Sequence, residues 1–293
     1  METENDKPAI TEGTTAKPLR AIKDSVFRDL FETPQYLLEL YKALHPEDET
    51  ATEADLGNVT IKHVMFGKPY NDLGFTVRDR LLVMVEAQST WSVNIVVRVL
   101  LYLAETWNAH INATNQSSYS STKLKLPEPE FYVIYTGKRA EHPEYLTLSE
   151  EFLPSKLGNL ELKVKVLYGD DTDDIIGQYV MFTKVVDEQI KEKGQTEEAV
   201  LEAIRICKDR NVLRSYLESR EKEVVGIMLG LFDQERQTEI YVKQQAQKEA
   251  EELQKKNAIR LYAKGFKEDE IAEMLNESVE DVTAWIAGEV VPA

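Results

Sequence analysis

Residues 70–91 read YNDLGFTVRDRLLVMVEAQSTW, and the periodicity inside this stretch decides the fold. Leu73–Val77 and Leu81–Gln88 are short runs rich in Val, Leu and Phe, the composition of strands, and Arg78-Asp79-Arg80 lies between them. A three-residue turn there pairs the runs as an antiparallel hairpin and sets Asp72 opposite Glu86. Directly opposed residues have Cβ atoms about 5 Å apart, and Gln88, two residues on, shares the face of Glu86. Leu73, Phe75, Val77, Leu81, Val83 and Val85 then form the other face, a continuous apolar set suited to a core. A two-residue turn would instead carry Asp72 to the opposite face.

Two carboxylates side by side at the end of an apolar hairpin repel each other, and a divalent cation removes the conflict. Ligands that are all oxygen favour Mg²⁺ or Mn²⁺. Asp72 and Glu86 are the expected metal ligands, with Gln88 beside them. On spacing alone, Asp-Leu-Gly also reads as a turn, and Glu86 and Gln88 as a solvated strand end.

Outward from the hairpin, residues 58–66 read as a further strand and residues 92–108 as a strong helix. A Ser/Asn/Pro-rich loop follows at 112–129, with strands at 131–136 and 160–167. A first helix begins near Ala21–Asp24, is interrupted by Pro34 and resumes over 35–44. From Ile175 onward the pattern is helical: 175–192, 196–209, 211–232 and a charged helix to about Lys256. Two short helices broken at Gly265 then span 258–286. Within them Leu261, Ile271, Leu275, Val282 and Ile286 are expected to form a cluster of their own. This last segment is similar to a degenerate helix-turn-helix, but its second helix carries Glu277, Glu280 and Asp281, which favours a packing or protein-contact hairpin over DNA reading.

The 293 residues include 42% hydrophobic and 30% charged side chains, ordinary for a globular protein. One cysteine, Cys207, excludes an internal disulfide and a Cys-based zinc site. The polar first 20 residues read as a disordered arm and not as an export signal, and no apolar run is long enough for a bilayer, so a cytoplasmic location is expected. The net charge of −17 argues against a large DNA-wrapping surface, but not against a compact site where metal offsets local carboxylates. The four histidines have no ligand spacing and read as surface or packing residues. The acidic run at 170–174 reads as a solvated loop capping the next helix.

The ordered set Asp24-Ser25-Val26-Phe27-Arg28, then Asp72, then Glu86-Ala87-Gln88, then Arg98 and Tyr102 resembles the PD-(D/E)XK nuclease family transposases, a branch of the recombination-promoting nucleases. The resemblance covers most of residues 21–260. It implies an α/β fold with a restriction-endonuclease-like mixed sheet flanked by helices and a helical C-terminal region. It also implies magnesium-dependent hydrolysis of DNA phosphodiesters, linked to recombination or mobile elements. Asp72, Glu86, Gln88 and Asp24 become the catalytic set, and Asp24 also reads as a helix N-cap, with Asp29 and Glu32 as nearby competitors.

Gln88 stands where the superfamily name has Lys; a carboxamide orients water but carries no charge. Arg98 offers that charge, or else forms a buried structural pair with Tyr102. Arg28 either contacts phosphate or pairs with Asp24. The expected organisation is an arm at 1–20, a nuclease-like domain at 21–186, a helical extension at 187–256 and a small hairpin at 257–293. DNA is the expected partner, a homo-oligomer is compatible, and no membrane contact is expected. The competing expectation is an inactive DNA- or protein-binding relic of the same family.

Overall fold

The computed structural model describes residues 25–58, 73–78, 81–153, 155, 158–169 and 173–289, with the backbone alone at 58, 81–84, 86, 235, 239, 288 and 289. The fold is mixed α/β. Among the described residues, six strands lie in the order β1-β2-β3-β4-β6-β5. They are β1 (Leu56–Asn58), β2 (Leu73–Val77), β3 (Leu81–Gln88), β4 (Glu128–Tyr135), β5 (Tyr145–Thr147) and β6 (Lys163–Leu167). β1, β2 and β3 are antiparallel neighbours, β4 runs parallel to β3, β6 parallel to β4, and β5 antiparallel to β6.

The β2–β3 hairpin has the bounds and register that a three-residue turn dictates. Leu73 pairs with Val85, Phe75 with Val83 and Val77 with Leu81. Arg78 opens the turn in the left-handed region at φ 52°. Its amide donates to Asp55 O at 2.8 Å, and its guanidinium reaches Asp48 at 3.0 Å and Asp55 at 3.3 Å. The hairpin is thereby tied to the segment before β1. The strand expected at 58–66 is seen only at its first residue, as the end of β1; residues 59–72 lie outside the described set.

Helix α1 (residues 25–31) presents Val26, Phe27, Leu30 and Phe31, all fully buried. These positions repeat at helical spacing, so one stripe of α1 faces the core. Pro34 then takes the first position of α2 (Pro34–Leu44), where its missing N–H costs nothing. Between β3 and β4 runs α3 (Ile95–Ala113), longer than the 92–108 expected and displaced three residues onward. The long loop after α3 is held by Gln116. Its Oε1 accepts from Lys125 N at 2.6 Å and its Nε2 donates to Lys125 O at 3.1 Å.

The sheet has two covered faces. Leu73, Phe75, Val77, Val85, Ala87, Tyr132 and Ile134 pack in one core with α1, α2 and the later helices. Val133, Tyr135, Val164 and Val166 pack in another with Ile95, Val96 and Val99 of α3 and Leu148 of α4 (Leu148–Phe152). The alternation is the period of two expected of a strand covered on both sides.

α5 (Ile175–Lys193) begins where Asp174 accepts from Ile176 N at 2.9 Å and Gly177 N at 3.0 Å, so the end of the acidic run is a helix cap. α6 (Glu197–Asp209) is capped in the same way by Thr196. The single helix expected at 211–232 is broken. Asn211 and Leu213 adopt positive φ, and Leu213 N donates to Gln178 Oε1 at 2.9 Å. A short α7 (Arg214–Ser219) therefore precedes α8 (Glu221–Ala263). At the break Arg220 forms a two-pronged contact with Asp29 at 2.7 and 3.0 Å, and Tyr216 donates to the same carboxylate at 2.7 Å. A tertiary ion pair, invisible to helical periodicity, sets the boundary.

Two compact units are formed, the first ending at Phe232 and the second beginning at Asp233. The divisions expected at 186 and 256 both fall inside continuous helices, α5 and α8. In the second unit the end of α8, α9 (Glu268–Leu275) and α10 (Val279–Glu289) enclose Ala258, Ile271, Ala272, Val282 and Ile286, with Leu261, Leu275 and Trp285 against them. The expected five-residue cluster is present. Gly265 at φ 95° lies in the turn after α8, and Asn276 at φ 56° ends α9, so the segment has three helical pieces instead of two.

Candidate active site at the strand ends

In open α/β sheets ligands bind beyond the carboxyl ends of the strands. Here β3 ends at Gln88 and the parallel β4 at Tyr135, which are register partners. Glu86 occupies the position opposite Val133. Val133 and Tyr135 belong to the α3-side core, so residues 86 and 88 share that side of the sheet by parity. Leu73↔Val85 is the last described step of the hairpin. The expected Asp72–Glu86 opposition lies one residue further, and Asp72 is outside the described residues, as is Asp24.

Gln88 is the best-defined member of the set. It is 3% exposed. Its Nε2 donates to the carbonyls of Thr90 and Ser92, the second at 3.4 Å, and its backbone carbonyl accepts from Thr136 N at 2.9 Å. Its Oε1 is buried and has no hydrogen-bond partner among the described residues. An amide oxygen left so carries a desolvation cost on the order of 1–3 kcal/mol. The chain turns sharply after β3, and that turn commits the donor half of Gln88 and leaves the acceptor half free.

Arg98 and Tyr102 both lie on α3, one turn apart. Arg98 is half-buried and Tyr102 buried beside Leu103, Trp107 and Phe131, and both side chains are engaged within the fold. Arg28 pairs with Glu32 at 2.7 Å on the surface, one turn onward. Asp29, a competitor of Asp24 for the catalytic role, is held by Arg220 and Tyr216. Glu32, the other competitor, is held by Arg28. Among the described residues no group of three or more His, Cys, Asp or Glu is placed to hold a metal. Asp24, Asp72 and the Glu86 side chain fall outside that search.

The histidines hold structure together where described. His45, at the end of α2, lies between Glu47 at 2.9 Å and Glu130 at 2.8 Å and stacks on Tyr41. His110 meets Lys125 O at 3.1 Å. His142 stacks on Tyr168 with centroids 4.2 Å apart. The patch that sequence reasoning missed surrounds this last pair and Trp91, which follows the Glu-x-Gln by three residues. Its signal was the Thr-Gly-Lys-Arg that closes β4.

Comparisons with known proteins reach only the second unit. Residues 253–289 match the family described as "Putative ATPase subunit of terminase (gpP-like)". No curated protein and no solved structure matches the chain. None of the candidate site residues falls within the matched segment. No described helix is long and apolar enough to cross a membrane.

Proposed function

We propose that the chain is a metal-dependent DNA endonuclease that hydrolyses phosphodiester bonds, with Asp72 and Glu86 as ligands of Mg²⁺ or Mn²⁺ and Gln88 beside them. The observation that carries this reading is a buried amide oxygen at Gln88 without a partner among the described residues, two positions along β3 from residue 86. A neutral oxygen donor next to carboxylates suits a hard divalent cation and its bound water. The sheet supports a restriction-endonuclease-like order: an antiparallel β1-β2-β3 meander continues through α3 into a parallel β4, with helices over both faces.

When bound, the metal supplies polarisation of the scissile phosphate and acidifies a water. Gln88 offers only its acceptor oxygen, because Thr90 and Ser92 take its donors. It therefore holds the hydrogen of an attacking water and orients it, and cannot keep the proton. Arg98, on the helix covering that side of the sheet, contributes positive charge near the phosphate. Tyr102 and Arg28 are substrate contacts in the same reading, and Asp24 is a further acid of the site. DNA as the partner and a link to recombination or mobile elements rest on the resemblance of the motifs. A cytoplasmic location rests on the lone cysteine, Cys207.

A second reading, a relic that binds DNA or protein without cutting, is favoured by the net charge of −17 and by the terminase-family match in residues 253–289. Nicking of supercoiled plasmid by the purified full chain, with and without Mg²⁺, separates the two. Magnesium-dependent nicking supports the nuclease. DNA binding in Ca²⁺ without nicking in Mg²⁺ moves the relic ahead.

A further inference from the structure

Beyond Gln88 the strand ends carry a second feature. Gly137 follows β4 so closely that a Cβ there would collide with Ser89 O and the Tyr135 phenol. Glycine thus lets residues 137–142 cross back over the end of β3. That crossing lays the Arg139 guanidinium 4.0 Å over the Trp91 ring. A few residues on, the His142 ring lies nearly flat on Tyr168, at 4.2 Å and 15°. Tyr135 stands edge-on between the pairs, 5.3 Å from Trp91 and 6.0 Å from Tyr168. Tyr168 is fixed by donating to Pro143 O at 3.0 Å.

Each pair ends in a planar group that keeps contact with solvent. His142 is exposed over half-buried Tyr168, and Arg139 keeps 28% of its side chain exposed. Lys138, beside them, is exposed as well. Arg139 donates from Nε to Glu141 O at 2.9 Å, and His142 Nε2 lies 2.9 Å from Arg139 O, which fixes the two planes. The ion pair of Arg139 with the Glu141 carboxylate at 2.7 Å is separate, and Glu141 is 82% exposed. A pair so open to water is worth little and exchanges readily for a phosphate.

We infer that Trp91–Arg139 and Tyr168–His142, with Lys138, bind an unpaired DNA strand leading to Gln88. Guanidinium and imidazole planes stack on bases of any sequence, and their charge meets the backbone. A duplex hides its base faces from such a platform, so the platform selects single-stranded or frayed segments. The buried Gln88 Oε1, three residues before Trp91 and without a hydrogen-bond partner among the described residues, independently marks this end of the sheet as a ligand site. The acidic run at 170–174 begins two residues after Tyr168, so the favourable charge is local. What the strand is brought to rests on the nuclease reading; that it binds does not.

Fluorescence anisotropy of the full chain with a labelled oligo-dT strand and with a duplex of equal length, in EDTA and low salt, tests the inference. Stacking of even one base corresponds to about 5- to 150-fold in affinity. The single strand is expected to bind at least about tenfold tighter than the duplex. Replacing both planes, Arg139→Ala with His142→Ala, is expected to weaken single-strand binding at least about fivefold and leave duplex binding unchanged. Should that variant unfold, Arg139→Lys decides, since it keeps the charge and removes the plane; it too should lose single-strand affinity. Equal affinity for strand and duplex, or unchanged single-strand binding in folded variants, overturns the inference. Plasmid nicking in Mg²⁺ without single-strand preference leaves the nuclease reading standing and removes this one. Single-strand binding without nicking does the reverse.

Discussion

Leu73 lies directly across from Val85 in the β2–β3 hairpin, and both side chains are buried in the same core. This pairing fixes the parity of every residue further along both strands. Deleting Asp79 would shorten the turn and force a one-residue slip, which exchanges the two faces. Leu73, Phe75 and Val77 would leave the core, at about 1.5–3 kcal/mol for each large side chain. The expected result is loss of cooperative thermal unfolding. A deletion variant that melts like the parent would show that the turn does not set the register.

The metal reading is tested at its ligands. Glu86→Gln and Asp72→Asn each remove one ligand charge and little volume. Each is expected to abolish Mg²⁺-dependent plasmid nicking with the melting temperature unchanged. Full nicking by either folded variant would remove that residue from the metal site.

Asp48 predicts a pH dependence. Hydrogen bonds from Thr50, Tyr41 and Arg78 hold its carboxyl down to about 2. A free Asp titrates near 3.9, so folding favours the ionised form. The stabilisation is complete above about pH 4 and fades as pH falls through about 2. Asp48→Asn is expected to lower the urea midpoint at pH 7, and the gap to the parent should narrow steadily below pH 4. A gap that stays constant down to pH 2.5 would reject the assignment.

Cys207 is fully buried and its thiol is pushed up to about 12 by that burial. The thiolate is the reactive form, so the native chain should be inert to a disulfide reagent at pH 8. Addition of denaturant should release one reactive thiol per chain. Rapid stoichiometric labelling of the native protein would contradict the packing of α6.

The second unit has a small core, and Ile271 is fully buried in it. Ile271→Ala is expected to cost about 2–5 kcal/mol, as much as or more than a unit of this size has to spare. Hydrogen exchange should show α9 and α10 losing protection while β2 and β3 keep theirs. Equal protection in parent and variant would mean that the cluster does not hold the unit together.

The sequence by itself determined the hairpin. Alternation in β2 and β3 has a period of two that one turn length completes, and both strand ends and the pairing follow from local residues alone. The buried stripe of α1 and the five-residue cluster of the second unit were legible for the same reason, since periodicity encodes which side faces a core. Tertiary structure alone decided the rest. The break between α7 and α8 depends on Arg220 reaching Asp29, nearly two hundred positions away, and no local pattern announces such a pair. The short strand β5 exists only because β6 offers it an edge. The neighbourhood of Gln88 depends on Gly137 crossing over Ser89, which brings together Trp91, Arg139, His142 and Tyr168 from three separate segments. Periodicity reports how much of a chain is covered; it does not report by what, because long-range contacts are chosen by the shape of the whole fold.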